Sequence, residues 1–121
     1  MKTDPLIWVI DAQQWPRSYL RAELLERGFE AVGYPYLSDA VSELRDRSVS
    51  RPKVIVLELR DQAIERELLD TLMWTRIPVV LLVGAIEANE QLIDDYTWAS
   101  VMRRPFSIGS VADKVEELVS Q

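Results

Sequence analysis

Two acidic side chains stand where apolar strands give out. Asp11 follows the run Leu6-Ile7-Trp8-Val9-Ile10, and Glu58 lies near the carboxyl end of Pro52-Lys53-Val54-Ile55-Val56-Leu57-Glu58-Leu59-Arg60-Asp61. A run apolar on both faces reads as a central parallel strand covered by helices on each side. In open α/β sheets the carboxyl edge of such strands is where sites are built. The chain has no histidine and no cysteine, which removes imidazole bases, thiolate chemistry and disulfides. Any chemistry must therefore run on carboxylates, hydroxyls, lysine or arginine. Asp11 and Glu58 are its expected centre, flanked by the Gly84 loop and by Arg103-Arg104-Pro105.

Length and composition bound what can hold these acids. At 121 residues and 48% hydrophobic content, the chain matches one domain, residues 1–121, with a core that needs no staples. Its net charge of -6 argues against nucleic-acid contact, since phosphate neutralisation needs a Lys/Arg excess. The start Met1-Lys2-Thr3-Asp4-Pro5 and the short run Leu6 to Ile10 lack the length of a signal-peptide core or a membrane span. A cytoplasmic location without membrane contact is expected.

The elements follow in order. Pro16 suits a first helical turn, and Tyr19, Leu20, Leu24 and then Gly28 give the spacing and stop of helix 1 over about residues 15–27. Residues 29–33 read as a weaker, partly polar edge strand. Ser38 is the expected N-cap of a short helix 2, with Asp39 in the first turn and Val41 and Leu44 facing inward. Ile64, Leu68 and Leu72 recur every four residues, with Leu69 and Met73 widening the stripe of helix 3, which closes over Trp74 to Arg76. Val79 to Val83 is a second two-sided strand, broken by Gly84-Ala85. Residues 88–96 read as a marginal amphipathic helix 4 and 99–102 as a last short strand. Ile108, Val111, Val115 and Leu118 mark helix 5 after a Ser107 cap. Five strands alternating with five helices leave few arrangements besides a doubly wound parallel sheet. The expected fold is α/β, flavodoxin-like (βα)5, with strand order 2-1-3-4-5. Strands 1 and 3 then adjoin, so Asp11 and Glu58 should share one pocket.

An acid after strand 1, an acid ending strand 3, a break after strand 4 and a basic residue before Pro-Phe after strand 5 together resemble the receiver domain of bacterial response regulators (CheY-like). The resemblance covers nearly the whole chain. Its most specific local piece is Arg104-Pro105-Phe106, similar to the family's Lys-Pro-Phe, in which the Lys-Pro bond is usually cis. Carried over residue by residue, the resemblance implies a degenerate phosphorylation site, that of a pseudo-receiver. Asp11 matches the first of the family's two acids after strand 1, and Ala12 stands where the second, a magnesium ligand, would be. Glu58 occupies the phosphoacceptor aspartate position. Gly84 replaces the Ser/Thr that binds the phosphoryl group, with Ala85 matching the small residue that follows. Val101 lies where the switching aromatic is expected, and Arg104 replaces the lysine that contacts the acyl phosphate. The loop Leu59-Arg60-Asp61-Gln62 lacks the Met-Pro usual after the acceptor.

These changes matter physically. Mg²⁺ wants hard oxygen ligands in near-octahedral geometry, and phosphoryl transfer depends on its charge and on positioning. The conventional pocket has three carboxylates and one lysine, whereas Asp11, Glu58 and Arg104 sum to one negative charge. Removing a carboxylate at about 4 Å forfeits on the order of 4 kcal/mol of attraction per unit ion charge at an effective dielectric of 20. Glu58 is also a methylene longer than aspartate, and a misplacement of ~1 Å can cost about a hundredfold in rate. Magnesium binding and magnesium-dependent phosphorylation are expected to be weak or absent, with Asp11 and Glu58 the ligands of any metal held.

Glu58 admits three roles: a residual acceptor, an imitation of the phosphorylated state, or a carboxylate paired with Arg104 or Arg60 that closes a vestigial pocket. The last is favoured, because Gly84 and Val101 remove the readout an imitation needs. Asp11 is expected to cap helix 1 or meet an arginine. The family docks partners and dimerises through helix 4, strand 5 and helix 5, here about residues 88–120, which makes Tyr96, Trp98, Val101 and Arg103 the expected interaction surface. Trp8, Trp15, Trp74 and Trp98 are expected in core or helix–sheet packing, with Trp98 and Tyr96 as partly exposed anchors. The leading function is a non-catalytic module for phosphorylation-independent protein contact in signalling or transcriptional regulation, with an output domain or a histidine kinase as partner. The runner-up is a divergent receiver still phosphorylated by a histidine kinase in a phosphorelay, at Glu58 or Asp61. A flavodoxin-like enzyme or nucleotide binder is disfavoured, because the turn Asp11-Ala12-Gln13-Gln14-Trp15 has no glycine to admit a phosphate.

Overall fold

The structure, a computed structural model, describes residues 3–85 and 89–121. Its elements in chain order are β1 (Leu6–Ile10), α1 (Gln14–Glu26), β2 (Glu30–Tyr34), α2 (Leu37–Leu44), β3 (Val54–Glu58), α3 (Arg66–Trp74), β4 (Val79–Val83), α4 (Glu90–Asp95), β5 (Ser100–Arg103) and α5 (Ile108–Val119). The strands form one parallel sheet in the order β2-β1-β3-β4-β5. This is the expected flavodoxin-like arrangement. The two-sided apolar runs occupy the interior, and every residue of β3 and β4 is buried.

Alternation along the strands divides the core between the two faces of the sheet. Trp8, Ile10, Ile55, Leu57 and Leu81 pack with α2 and α3, whereas Ile7, Val9, Val54, Val56 and Val80 pack with Leu20 and Leu24 of α1 and with Val111 and Val115 of α5. Both acids at the strand ends are therefore held by a backbone that cannot slip without turning buried side chains to the wrong face.

Several local expectations are corrected. Helix α2 begins at Leu37 rather than after Ser38, and its N-cap Tyr36 offers no side-chain hydrogen bond. Burying Leu37, 1% exposed, requires it inside the helix, and its N–H donates instead to Gln62 Oε1 at 3.0 Å. Ile64 precedes α3 but still packs on the core from the loop. Trp15 and Trp74 are not packing residues: they are 67% and 88% exposed, because Leu20, Leu24, Leu69 and Leu72 already satisfy the inward faces of their helices. Trp8 is buried as expected. Helix α4 ends before Tyr96, which is extended, and residue 88, the expected start of helix 4, lies outside the described residues. Ser107 caps α5, accepting from Ser110 N–H while Ser110 reaches back to its backbone. No helix among the described residues is long and apolar enough to cross a membrane.

Candidate functional site

Strands β1 and β3 pair in parallel with Ile10 opposite Leu57. The residues that follow, Asp11 and Glu58, thus come level at the point where the chain order of the sheet reverses. They are the buried charged residues among those described, 5% and 1% exposed. Two ionised carboxylates side by side in a core repel each other and lose hydration.

Arginines offset both costs. Arg104, at the end of β5 and in a cis peptide bond to Pro105, forks onto Glu58: Nη2 meets Oε1, and Nη1 donates to Oε2 at 3.3 Å. Its guanidinium also lies 5.0 Å from the centre of the Phe106 ring. Arg60 contributes twice. Its backbone N–H donates to Glu58 Oε2 at 3.1 Å, and its Nη2 lies 4.0 Å from Glu58 Oε1 and 3.9 Å from Asp11 Oδ2. Asp11 Oδ1 accepts from Gln13 N–H at 2.9 Å. Burial pushes the Asp11 carboxyl above its ordinary range, with the Gln13 hydrogen bond and the nearby arginines pulling in the opposite direction.

The four side chains sum to zero charge and line a cavity of about 50 Å³. The resemblance would place a divalent cation here, and the donor set does not fit one. Ala12 offers no side-chain oxygen, both carboxylates face guanidinium groups, and the described residues hold no cluster of three acidic, histidine or cysteine side chains. Such a cation would have to displace arginines to gain two carboxylates.

The other expected site residues are dispersed. Gly84 is exposed and does not line the cavity; a side chain there would meet nothing within 4 Å. Val101 packs partly buried against the α2–α3 side of the core. Arg103 is exposed and pairs with Glu90. Tyr96 and Trp98 sit before β5, at its amino end, whereas Arg103 closes its carboxyl end. Trp98 and Arg103 lie five positions apart, with Ser100–Arg103 forming the strand between the two ends.

Three supports of the site were not read from sequence. Arg17 Nη1 donates to the main-chain oxygen of Asp11 at 2.7 Å, and its stem, with that of Arg21, fills the space where a side chain of Gly33 would stand, at 3.0 Å. A glycine inside a strand is a signal of such close approach. Gln13 Nε2 donates to Asp61 Oδ2 at 3.2 Å, and Asp61 has a φ of 61°. Gln62 joins two loops, accepting from Leu37 N–H and donating to Pro35 O at 2.7 Å.

No family model and no curated protein sequence matches the chain. Solved structures do match. The chain resembles a response regulator receiver protein from Pseudomonas putida at 20% identity, over 97% of this chain and 99% of that one, with a TM-score of 0.79. The receiver domain of a Francisella response regulator matches at 20% identity over 97% and 98%, TM-score 0.78. That of NtrX from Brucella abortus matches at 20% over 95% and 98%, TM-score 0.74. The likeness extends from end to end and establishes the receiver fold.

Proposed function

We propose that this chain, built on the receiver fold, is a pseudo-receiver: a non-catalytic signalling module that contacts protein partners without being phosphorylated. The observation that carries this reading is the Arg104 fork on a buried Glu58 with Arg60 beside it. The guanidinium groups supply the positive charge that a cation would bring, and they occupy the carboxylate oxygens that an acceptor would need free. Magnesium binding is accordingly weak or absent. An output domain or a histidine kinase is the expected class of partner, met through α4, β5 and α5, and the same face is the proposed route to self-association. The competing reading is a divergent receiver in a phosphorelay. Its better acceptor on geometry is Asp61, which is exposed, rather than the engaged Glu58.

Incubating the chain with Mg²⁺ and acetyl phosphate, followed by intact-mass measurement, tests the proposal. The expected result is an unchanged mass. Stoichiometric addition of one phosphoryl group, lost in Glu58→Gln or Asp61→Asn, establishes the competing reading instead.

A further inference from the structure

The outward face of the α2–α3 layer is divided by charge. Among the described basic side chains, those that make neither an ion pair nor a side-chain hydrogen bond are Arg45, Arg47, Arg51, Lys53 and Arg76. All five are exposed and lie at or beyond the carboxyl ends of α2 and α3, beside the amino edge of the sheet. The exposed acid among them, Asp46, is turned onto Ser48, accepting from its N–H at 2.9 Å and from its hydroxyl at 2.7 Å. At the other end of the same two helices Asp39, Glu65 and Glu67 are exposed and enter no ion pair among the described residues. Arg66, between the two glutamates, is held by Asp95 at 2.7 Å. Cations at the end of a helix and acids at its start suit the helix dipole. That local reason covers the helix ends and leaves out Arg47, Arg51 and Lys53, which lie beyond them.

Trp74 stands where the two halves meet on α3, with Asp70 one turn before it and Arg76 two residues after it. Its side chain is 88% exposed and borders a recess of about 330 Å³ lined also by Asp70, Met73 and Arg76. Tryptophan is among the residues that most often anchor protein contacts, seated in a pocket of the partner. Here the anchor and a recess adjoin on one face. A two-fold axis lying in that face and running across the helices sets two copies antiparallel. It lays the basic end of each copy on the acidic end of the other, and it brings each Trp74 toward the recess beside its counterpart. The face is thus complementary to itself in both charge and relief, whereas an unrelated partner would need to match only one of its halves.

We infer that a second copy of this chain docks antiparallel on the α2–α3 face, with Trp74 at the centre of the contact and the cations of each copy on the acids of the other. This face is separate from the one formed by α4, β5 and α5, and the inference stands apart from the role assigned to Glu58. Sedimentation velocity of the full chain tests it. Expected is a reversible dimer, half dissociated at about 10 µM. Its affinity should fall about tenfold as salt rises from about 0.1 to about 1 M, and by at least about tenfold in Trp74→Ala. Two charge-reversed chains extend the test: Arg45→Glu with Arg47→Glu, and Asp39→Lys with Glu67→Lys. Each should be monomeric alone and folded by circular dichroism, and their equimolar mixture should restore the dimer, because each then carries the charge the other lacks. Trp74→Ala, at an exposed position, keeps the test independent of the folding of the charge-reversed chains. A parent chain that stays monomeric at about 100 µM, as a face reserved for a different protein would leave it, overturns the inference. So does a dimer unaltered by Trp74→Ala, the result expected of a contact through α4, β5 and α5, and so does a mixture of folded charge-reversed chains that stays monomeric.

Discussion

Glu58 and Asp11 lie level at the edge of the sheet and differ in what satisfies them. Glu58 is enclosed by a two-pronged guanidinium and a backbone N–H, so its charge is matched where it lies. Removing one partner of a buried pair strands the other. Arg104→Ala should lower unfolding free energy by about 3 kcal/mol, read from urea denaturation. Arg104→Lys should lose less, since it keeps the charge and surrenders only the fork. Asp11 has its charge held at a distance by Arg60 and one oxygen on Gln13 N–H, and its carboxyl titrates above the usual range because it is buried. A raised folded-state value means the protonated acid suits the fold better. This contribution is fully present below the unfolded value of 3.8 and is lost as pH rises through the folded one. Asp11→Asn, which keeps the acceptor for Gln13, should therefore be more stable than the parent at pH 7. That advantage should shrink to nothing as pH falls toward the unfolded value, a trend followed by thermal unfolding across pH.

Among the elements, α5 shows how a local signal reads correctly. Ser107 and Ser110 exchange side-chain-to-backbone hydrogen bonds at 3.0 and 3.1 Å, a cap that depends only on residues three apart. Ser107→Ala should cost about 1 kcal/mol, with the helix otherwise intact, as measured by denaturant midpoint and circular dichroism. Ser38 at the start of α2 carries the same sequence signal and is not used. There the burial of Leu37 moves the helix start, and a glutamine 25 positions away takes over the cap. Trp74 shows a similar limit. Its size argued for burial, but the last turn of α3 turns it outward and leaves it bare. Arg27, the C-cap of α1, binds Glu23 of that helix and Asp113 in α5, at 2.8 and 2.6 Å, a cross-helix tie no local pattern announces.

For the molecule as a whole, a parallel sheet with Asp11 and Glu58 at its reversal point makes a pocket whose two acids and two arginines sum to zero formal charge. Raising Mg²⁺ to about 10 mM should leave the thermal midpoint unmoved, whereas a resident site with a Kd near 0.1 mM would add roughly 2.7 kcal/mol. The alternation of strand and helix, the sheet order and the level placement of the two acids were all decided by the sequence alone. Periodicity is written in neighbouring residues, and right-handed crossovers leave little choice in joining them. The sequence offered Arg104 or Arg60 as alternative partners of Glu58; only the tertiary structure decided that both attend it. Which long side chain reaches which distant partner depends on separations across the folded sheet, 46 residues apart in the case of Arg104 and Glu58, and nothing in the local pattern encodes that distance.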